Sequence, residues 1–202
     1  MNSVNISTLG YALLGLIHQK PSSGYDLRKT FTETAMGSFS NSPGAIYPAL
    51  ERLEKRGSIQ SEVEDRAGLR RRRVYRLTAS GEKEFKHWLA QPVTRKEVVS
   101  GLGELMLRFA FMEQALGATG AIAFLRKFRI ELDAYVPELK KYLEEYGAQM
   151  PLSGMLALDS GIRNYETLQQ WCEYALQKYE EAAAKKKTSR VRPVLNRTGG
   201  MS

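Results

Sequence analysis

The chain has 202 residues, 43% of them apolar, enough for one large or two small packed domains and too apolar for an extended disordered protein. A single cysteine, Cys172, excludes an intramolecular disulfide, and neither a signal-peptide pattern nor an apolar run of about 18 residues appears, so a cytoplasmic chain without membrane contact is expected. The net charge of +8 is uneven: residues 1–92 carry 14 basic and 9 acidic side chains, residues 93–180 carry 10 and 12, and residues 181–202 carry 6 and 1. The positive field therefore belongs to the N-terminal segment and the tail, which is where a polyanion would be met.

Leu9, Leu13, Leu16 and Ile17 recur at helical spacing, with Thr8 as the expected cap and Lys20-Pro21 as the stop. Ser22 or Ser23 then caps a second helix carrying Tyr25, Leu27, Thr30 and Phe31, which should fray before Gly37-Ser38. A third helix is expected from Ser42 to about Arg56. There the Ser42 hydroxyl is placed to meet free amides, and Pro43 takes the first helical position, where a missing N–H costs nothing. Ile46, Leu50 and Leu53 form its inward stripe, leaving Asn41, Ser42, Gly44, Ala45, Tyr47 and Pro48 at its N-terminal end and outer face, with Arg52 farther along. Pro48 lacks the N–H that an interior helical position uses, so a kink is favoured there.

Gly57 reads as the helix stop, and the stretch from Ile59 to Leu77 reads as a hairpin around a polar turn at Arg66-Ala67-Gly68, with Arg70, Arg71, Arg72 and Arg73 at its tip. A helix with small residues and a tyrosine on its outer face suits the major groove, and an arginine cluster beside it suits phosphates or the narrow minor groove. Together they predict a winged helix-turn-helix. Tyr47 could also be a half-buried core tyrosine, and the arginine run a solvated surface. Thr78 then caps a helix with Phe85, Trp88 and Leu89 on one side, which closes at Gln91-Pro92.

Four segments carry a resemblance: Leu13-Leu14-Gly15-Leu16, Gly24-Tyr25-Asp26-Leu27, the run from Gly44 to Glu54, and the run from Val74 to Gly81. In these the sequence resembles the PadR family of bacterial transcriptional regulators. The resemblance implies a homodimer whose two winged helices bind a pseudo-palindromic operator in double-stranded DNA, usually to repress transcription. It implies that Tyr47 and its small neighbours approach the major groove and that the basic wing approaches the minor groove. Tyr25 would touch the DNA backbone or brace the core. The run Arg70 to Arg73 is longer than the family pattern needs.

Residues beyond 92 are similar to the larger helical C-terminal domain of one branch of the family, the AphA-like branch. Gly103 to Phe109 supplies an apolar helix. Residues 121–146 give a long helix with Ile122, Leu125, Phe128, Leu132, Val136 and Leu139 in register, which Pro137 should kink or divide. A last helix from about Ser160 to Ala184 carries Ile162, Tyr165, Leu168, Trp171, Cys172, Ala175 and Tyr179. Such faces suit packing between two subunits. The expected fold is thus mostly α with an α+β N-terminal part. Residues 1–92 form the winged helix-turn-helix domain, residues 93–186 an all-helical dimerisation and effector domain, and residues 187–202 a basic, disordered tail.

Phe109, Phe111, Met112, Tyr165, Trp171 and Tyr174 could line an aromatic pocket, for which the resemblance allows phenolic acids or hydrophobic drugs as effectors, or they could be core and dimer interface. No catalytic constellation, metal set or cofactor loop is found. His18 and His87 lie apart from Cys172, and Gly101-Leu102-Gly103 lacks a third glycine and a preceding strand. The competing expectation is a nonspecific, architectural DNA-binding protein, encouraged by the tail lysines 185–187.

Overall fold

A computed structural model describes residues 5–39, 42–64 and 71–190. The chain divides into two compact units, one of Met1–Pro92 with Val99–Ala121 and the other of Val93–Val98 with Ile122–Ser202. The first unit therefore does not stop at Pro92, where the sequence suggested a domain boundary. It also takes in the segment that the sequence placed at the start of the C-terminal domain.

In the first unit, helix α1 spans Thr8–Gln19. Its cap is Ser7, whose hydroxyl accepts from the Gly10 amide, and not Thr8, which instead donates to Glu104 at 3.0 Å. Strand β1 is the pair Ser22–Ser23, and helix α2 runs Gly24–Glu33, followed by a short 3-10 turn, Ala35–Ser38. Helix α3 spans Pro43–Lys55 and continues through Pro48. The Ser42 hydroxyl makes no capping bond to this helix; the Ser42 carbonyl opens it by accepting from Ala45 and Ile46. A Schellman motif closes the helix, with Gly57 at φ 78°, its amide donating to Glu54 and the Ser58 amide donating to Leu53.

Strands β2 (Ile59–Glu64) and β3 (Arg72–Leu77) are antiparallel, and the sheet order is β1-β3-β2. The register pairs Ile59 with Leu77, Ser61 with Tyr75 and Val63 with Arg73, so these six side chains share one face. Only the base of the hairpin is covered: Ile59, Val74 and Tyr75 are buried, while Val63 is 65% exposed. Helix α4 (Ala79–Leu89) follows, capped by the Thr78 hydroxyl accepting from Gly81 as its sequence suggested.

The core of this unit joins Leu13, Leu14 and Ile17 of α1, Leu27 and Phe31 of α2, Ile46, Leu50 and Leu53 of α3, and Phe85 and Leu89 of α4. Helix α5 (Arg95–Ser100) leads into α6 (Leu102–Tyr146), which is broken at Gly117, where φ is 74° and ψ 173°. The part of α6 before this break packs into the winged helix. Phe111 is buried against the backbone of Gly15, where any side chain would collide with it, and meets Phe85 edge-on at 5.9 Å. Glu104 accepts from Trp88 Nε1 at 3.0 Å, and Trp88 stacks on Tyr11 at 4.3 Å. Arg108, 1% exposed, donates to the carbonyls of Leu89 and Gln91, placing its charge at the negative end of α4.

In the second unit the remainder of α6 lies antiparallel to α7 (Leu152–Arg190), with Arg129 paired to Glu173 at 2.7 Å, Asp133 accepting from Gln169, and Lys140 paired to Glu166. Phe124, Leu125, Phe128, Leu132 and Val136 of α6 and Ile162, Cys172 and Ala175 of α7 are buried. Pro137 neither ends nor divides α6. It lies on an exposed side of the helix, where the carbonyl it leaves without an amide partner can be hydrated. Helix α7 starts eight residues earlier than the periodicity suggested and continues to Arg190, past the expected start of the tail at 187. Residues 191–202 of that tail lie outside the described residues. Among the described residues no helix is long and apolar enough to cross a membrane.

Two clusters support predictions. Phe111→Ala should lower the unfolding free energy of the winged-helix unit by about 3–5 kcal/mol, because a fully enclosed ring leaves a cavity; urea denaturation measures it. The second concerns Asp26. Ser23 and Asp26 form a reciprocal capping box at the start of α2, and the same carboxylate holds Arg72 of β3. Burial pushes the Asp26 carboxyl up, but the bonds from the Ser23 hydroxyl and amide and the Arg72 charge outweigh this and hold it below its ordinary value of 3.8. A depressed carboxyl stabilises the fold above its unfolded value and ceases to do so as pH falls through the folded one. Asp26→Ala should therefore cost about 1 kcal/mol at neutral pH, and the gap to wild type should close below the folded pKa.

Candidate nucleic-acid interface

Burial of Ile46, Leu50 and Leu53 fixes the rotation of α3 and turns a second stripe outward: Gly44, Tyr47, Pro48, Glu51 and Lys55 are all exposed, with Arg52 beside them. Ser42 is exposed at the helix start and Ala45 is half-buried. Pro48 supplies no amide to the exposed Gly44 carbonyl, leaving that acceptor to solvent or a ligand. Asn41, expected at this end, lies outside the described residues, as do Arg70 and the turn at 66–68.

The start of α2, the outer face of α3 and the hairpin enclose a groove of about 680 Å³. Ser23, Gly24 and Tyr25 line one side, Tyr47 and Glu51 the floor, and Arg71, Arg72, Arg73 and Tyr75 the other side. Tyr25 is 59% exposed and Tyr47 43%, so neither is a core tyrosine, and Arg28 sits 5.5 Å over the Tyr25 ring. Tyr47 rests across Gly24, where a Cβ would stand 2.7 Å from its ring. Gly24 is thus part of the site, although it was legible in the sequence only as one letter of the Gly-Tyr-Asp segment.

The arginine run divides by partner. Arg72 donates to the Ser23 hydroxyl at 2.9 Å and pairs with Asp26, fastening β3 to α2. Arg73 pairs with Glu54 near the end of α3 at 2.6 Å, donates to the Ser61 hydroxyl at 2.8 Å, and lies 5.5 Å over the Tyr75 ring. The Ser61 hydroxyl, and Arg73 after it, hold the Glu54 carboxyl below its ordinary range against the opposing effect of burial. Arg71 is exposed at the mouth of the groove. Two of the arginines expected to face a polyanion therefore also brace the hairpin against both helices.

The six residues expected to line one aromatic pocket divide between the two units. Phe111 and Met112 are buried core of the first unit, with Phe109 half-buried beside them. Tyr165, Trp171 and Tyr174 belong to the second. There Tyr165 packs edge-on against Tyr135 at 5.2 Å and donates to the Val98 carbonyl, while Tyr174 is exposed under Lys178. Periodicity along the chain does not say which of these residues share a core. Cys172 is buried, which pushes its thiol up to about 12. Among the described residues no group of His, Cys, Asp and Glu is arranged to hold a metal.

Residues 13–87 match the model of the transcriptional regulator PadR-like family. The negative transcriptional regulator PadR of Bacillus subtilis is 33% identical over 104 residues, covering 52% of this chain and 56% of that protein, so the chain spans little more than half the length of that relative. A probable transcriptional regulator of Mycobacterium tuberculosis is 24% identical over 187 residues, 86% of this chain and 98% of its own length. Crystal structures of the Bacillus subtilis PadR have been determined with operator DNA and with p-coumaric acid. They are 27% and 26% identical to this chain, cover 86% of it and 99% of their own chains, and give a TM-score of 0.39 in both cases. The matched segment runs from the buried stripe of α1 through the outward face of α3 and the hairpin into α4, and over it the chain is similar to the transcriptional regulator PadR-like family.

Proposed function

We propose that this protein is a homodimeric transcriptional repressor that binds a pseudo-palindromic operator, with α3 in the major groove and the hairpin arginines reaching toward the adjacent minor groove. The observation that carries this reading is the single groove in which the exposed tyrosines Tyr25 and Tyr47 face Arg71, Arg72 and Arg73. Small residues at the start of α3, Ser42, Gly44 and Ala45, let its backbone come close to base edges, and Tyr47, Pro48 and Arg52 follow on the same outer side. Asn41 and Arg70 complete the DNA-contacting set by their positions in the sequence. The wing supplies sequence-independent affinity by displacing counterions from phosphates.

Recognition of a whole operator needs two copies, because one winged helix spans only a few base pairs. The second unit provides apolar side chains suited to pairing. Ile130, Tyr142, Tyr146, Leu152, Leu156 and Tyr174 are exposed on its two long helices. In this reading the unit of residues 1–92 with 99–121 reads DNA and the helical unit sets half-site spacing. The sign of regulation follows the Bacillus subtilis relative, which is a negative regulator. Release by a small aromatic acid, the class of compound that relative binds, belongs to the same reading, with Tyr165, Trp171 and Tyr174 as the aromatic groups available in the helical unit.

Selection of genomic fragments by the purified protein, followed by footprinting, should recover a short inverted repeat near a promoter. Enrichment without a common site would replace this reading with general DNA binding. Tyr47→Ala should weaken operator binding by about tenfold to a hundredfold and binding to bulk DNA far less. Arg71→Ala should weaken both alike and reduce the slope of log affinity against log salt by about 1, as fluorescence anisotropy titrations would record.

A further inference from the structure

Glu51 is a carboxylate in a groove otherwise furnished to attract phosphates. It lies one helical turn after Tyr47 on the exposed stripe of α3, and it lines the groove together with Arg71 to Arg73. The other carboxylates around that groove are committed. Asp26 holds Arg72 and the Ser23 capping hydroxyl, and Glu54 holds Arg73 and Ser61. Among the described residues, Glu51 makes neither a hydrogen bond nor an ion pair.

We infer that Glu51 is a base-reading residue of α3 that selects cytosine by accepting a hydrogen bond from its N4 amino group in the major groove. The inference rests on α3 being the helix that enters that groove. A carboxylate carried unpaired into an interface with a polyanion loses its hydration and meets repulsion, which is costly unless a donor awaits it. The donors that base edges offer in the major groove are the N4 amino group of cytosine and the N6 amino group of adenine. Adenine places the N7 lone pair beside its donor, which repels a carboxylate and suits an amide instead. Cytosine has no acceptor beside N4, so an ionised glutamate prefers it.

The helix supplies the reach. Gly44 keeps the N-terminal turn slim, and four residues of rise, about 6 Å, separate Tyr47 from Glu51 along the axis. At roughly 3.4 Å per base step this places the two side chains over positions one or two steps apart. Glu51 thereby defines one position of each half-site, distinct from the one Tyr47 addresses. Its charge also discourages nonspecific binding, since on a wrong sequence it faces acceptors or phosphate.

The test is selection of binding sites from random double-stranded DNA by the full-length wild type, Glu51→Gln and Glu51→Ala, with circular dichroism confirming that each variant folds. The wild type should show one cytosine per half-site. In Glu51→Ala that preference should fall by about tenfold or more while the other positions stay unchanged, and Glu51→Gln should favour adenine there. N4-methylcytosine at the selected position keeps Watson–Crick pairing but removes the groove-facing hydrogen. It should weaken the wild type and leave Glu51→Ala unaffected. Unchanged base preferences in both variants would overturn the assignment while leaving the operator-binding reading intact. Absence of any preferred site in the wild type would instead remove that reading, and this inference with it.

Discussion

Burial of one apolar stripe on α3 organises the groove between α2, α3 and the hairpin. Ile46, Leu50 and Leu53 are packed into the core of the first unit, each contributing roughly 1.5–3 kcal/mol, so the helix has one rotational setting. That setting turns Gly44, Tyr47, Pro48 and Glu51 outward. Such exposed positions add little to stability, and substitutions there typically change it by less than about 0.5 kcal/mol. Stability thus resides on one face of the helix, and the opposite, exposed face is open to change without loss of the fold.

The hairpin is fastened to this helix electrostatically more than by burial. Only the base of the β2-β3 ribbon is covered by core side chains, and beyond it two arginines reach sideways, Arg72 to the start of α2 and Arg73 to the end of α3. Both pairs are substantially exposed, so each contributes modestly to folding. Their larger effect is positional, because they fasten the ribbon to α2 and to the end of α3. Arginine suits such a dual post, since its forked guanidinium can satisfy a carboxylate and still present N–H groups to a phosphate.

The chain passes between the two units more than once. After α4 the chain enters the second unit at Val93, returns to the first at Val99 and leaves again after Ala121. The returning segment is anchored by Phe111, by Glu104 held between Thr8 and Trp88, and by Arg108 at the carboxyl end of α4.

Much of this protein is legible in its residue order, because the signals concerned are local. The stripe of α3, the stop at Gly57, the cap at Thr78 and the hairpin all follow from periodicity and turn chemistry within a few residues. What the sequence could not supply is long-range pairing. Residues 99–121 read as the first helix of a separate domain because periodicity reports an apolar face but not the core that receives it. Phe111 and Met112 are accordingly buried in one unit, while Tyr165 is engaged in the other. Pro48 and Pro137 read as kinks or breaks, yet both helices continue through them, since a single missing backbone bond on an exposed side is outweighed by tertiary packing of the opposite face. The sequence by itself determined which helix carries an exposed stripe around Tyr47 and which ribbon carries the arginines. The tertiary structure alone decided which arginines are held by Asp26 and Glu54 and that Glu51 has no bonded partner among the described residues, because those choices depend on side chains as many as 46 residues apart meeting in space.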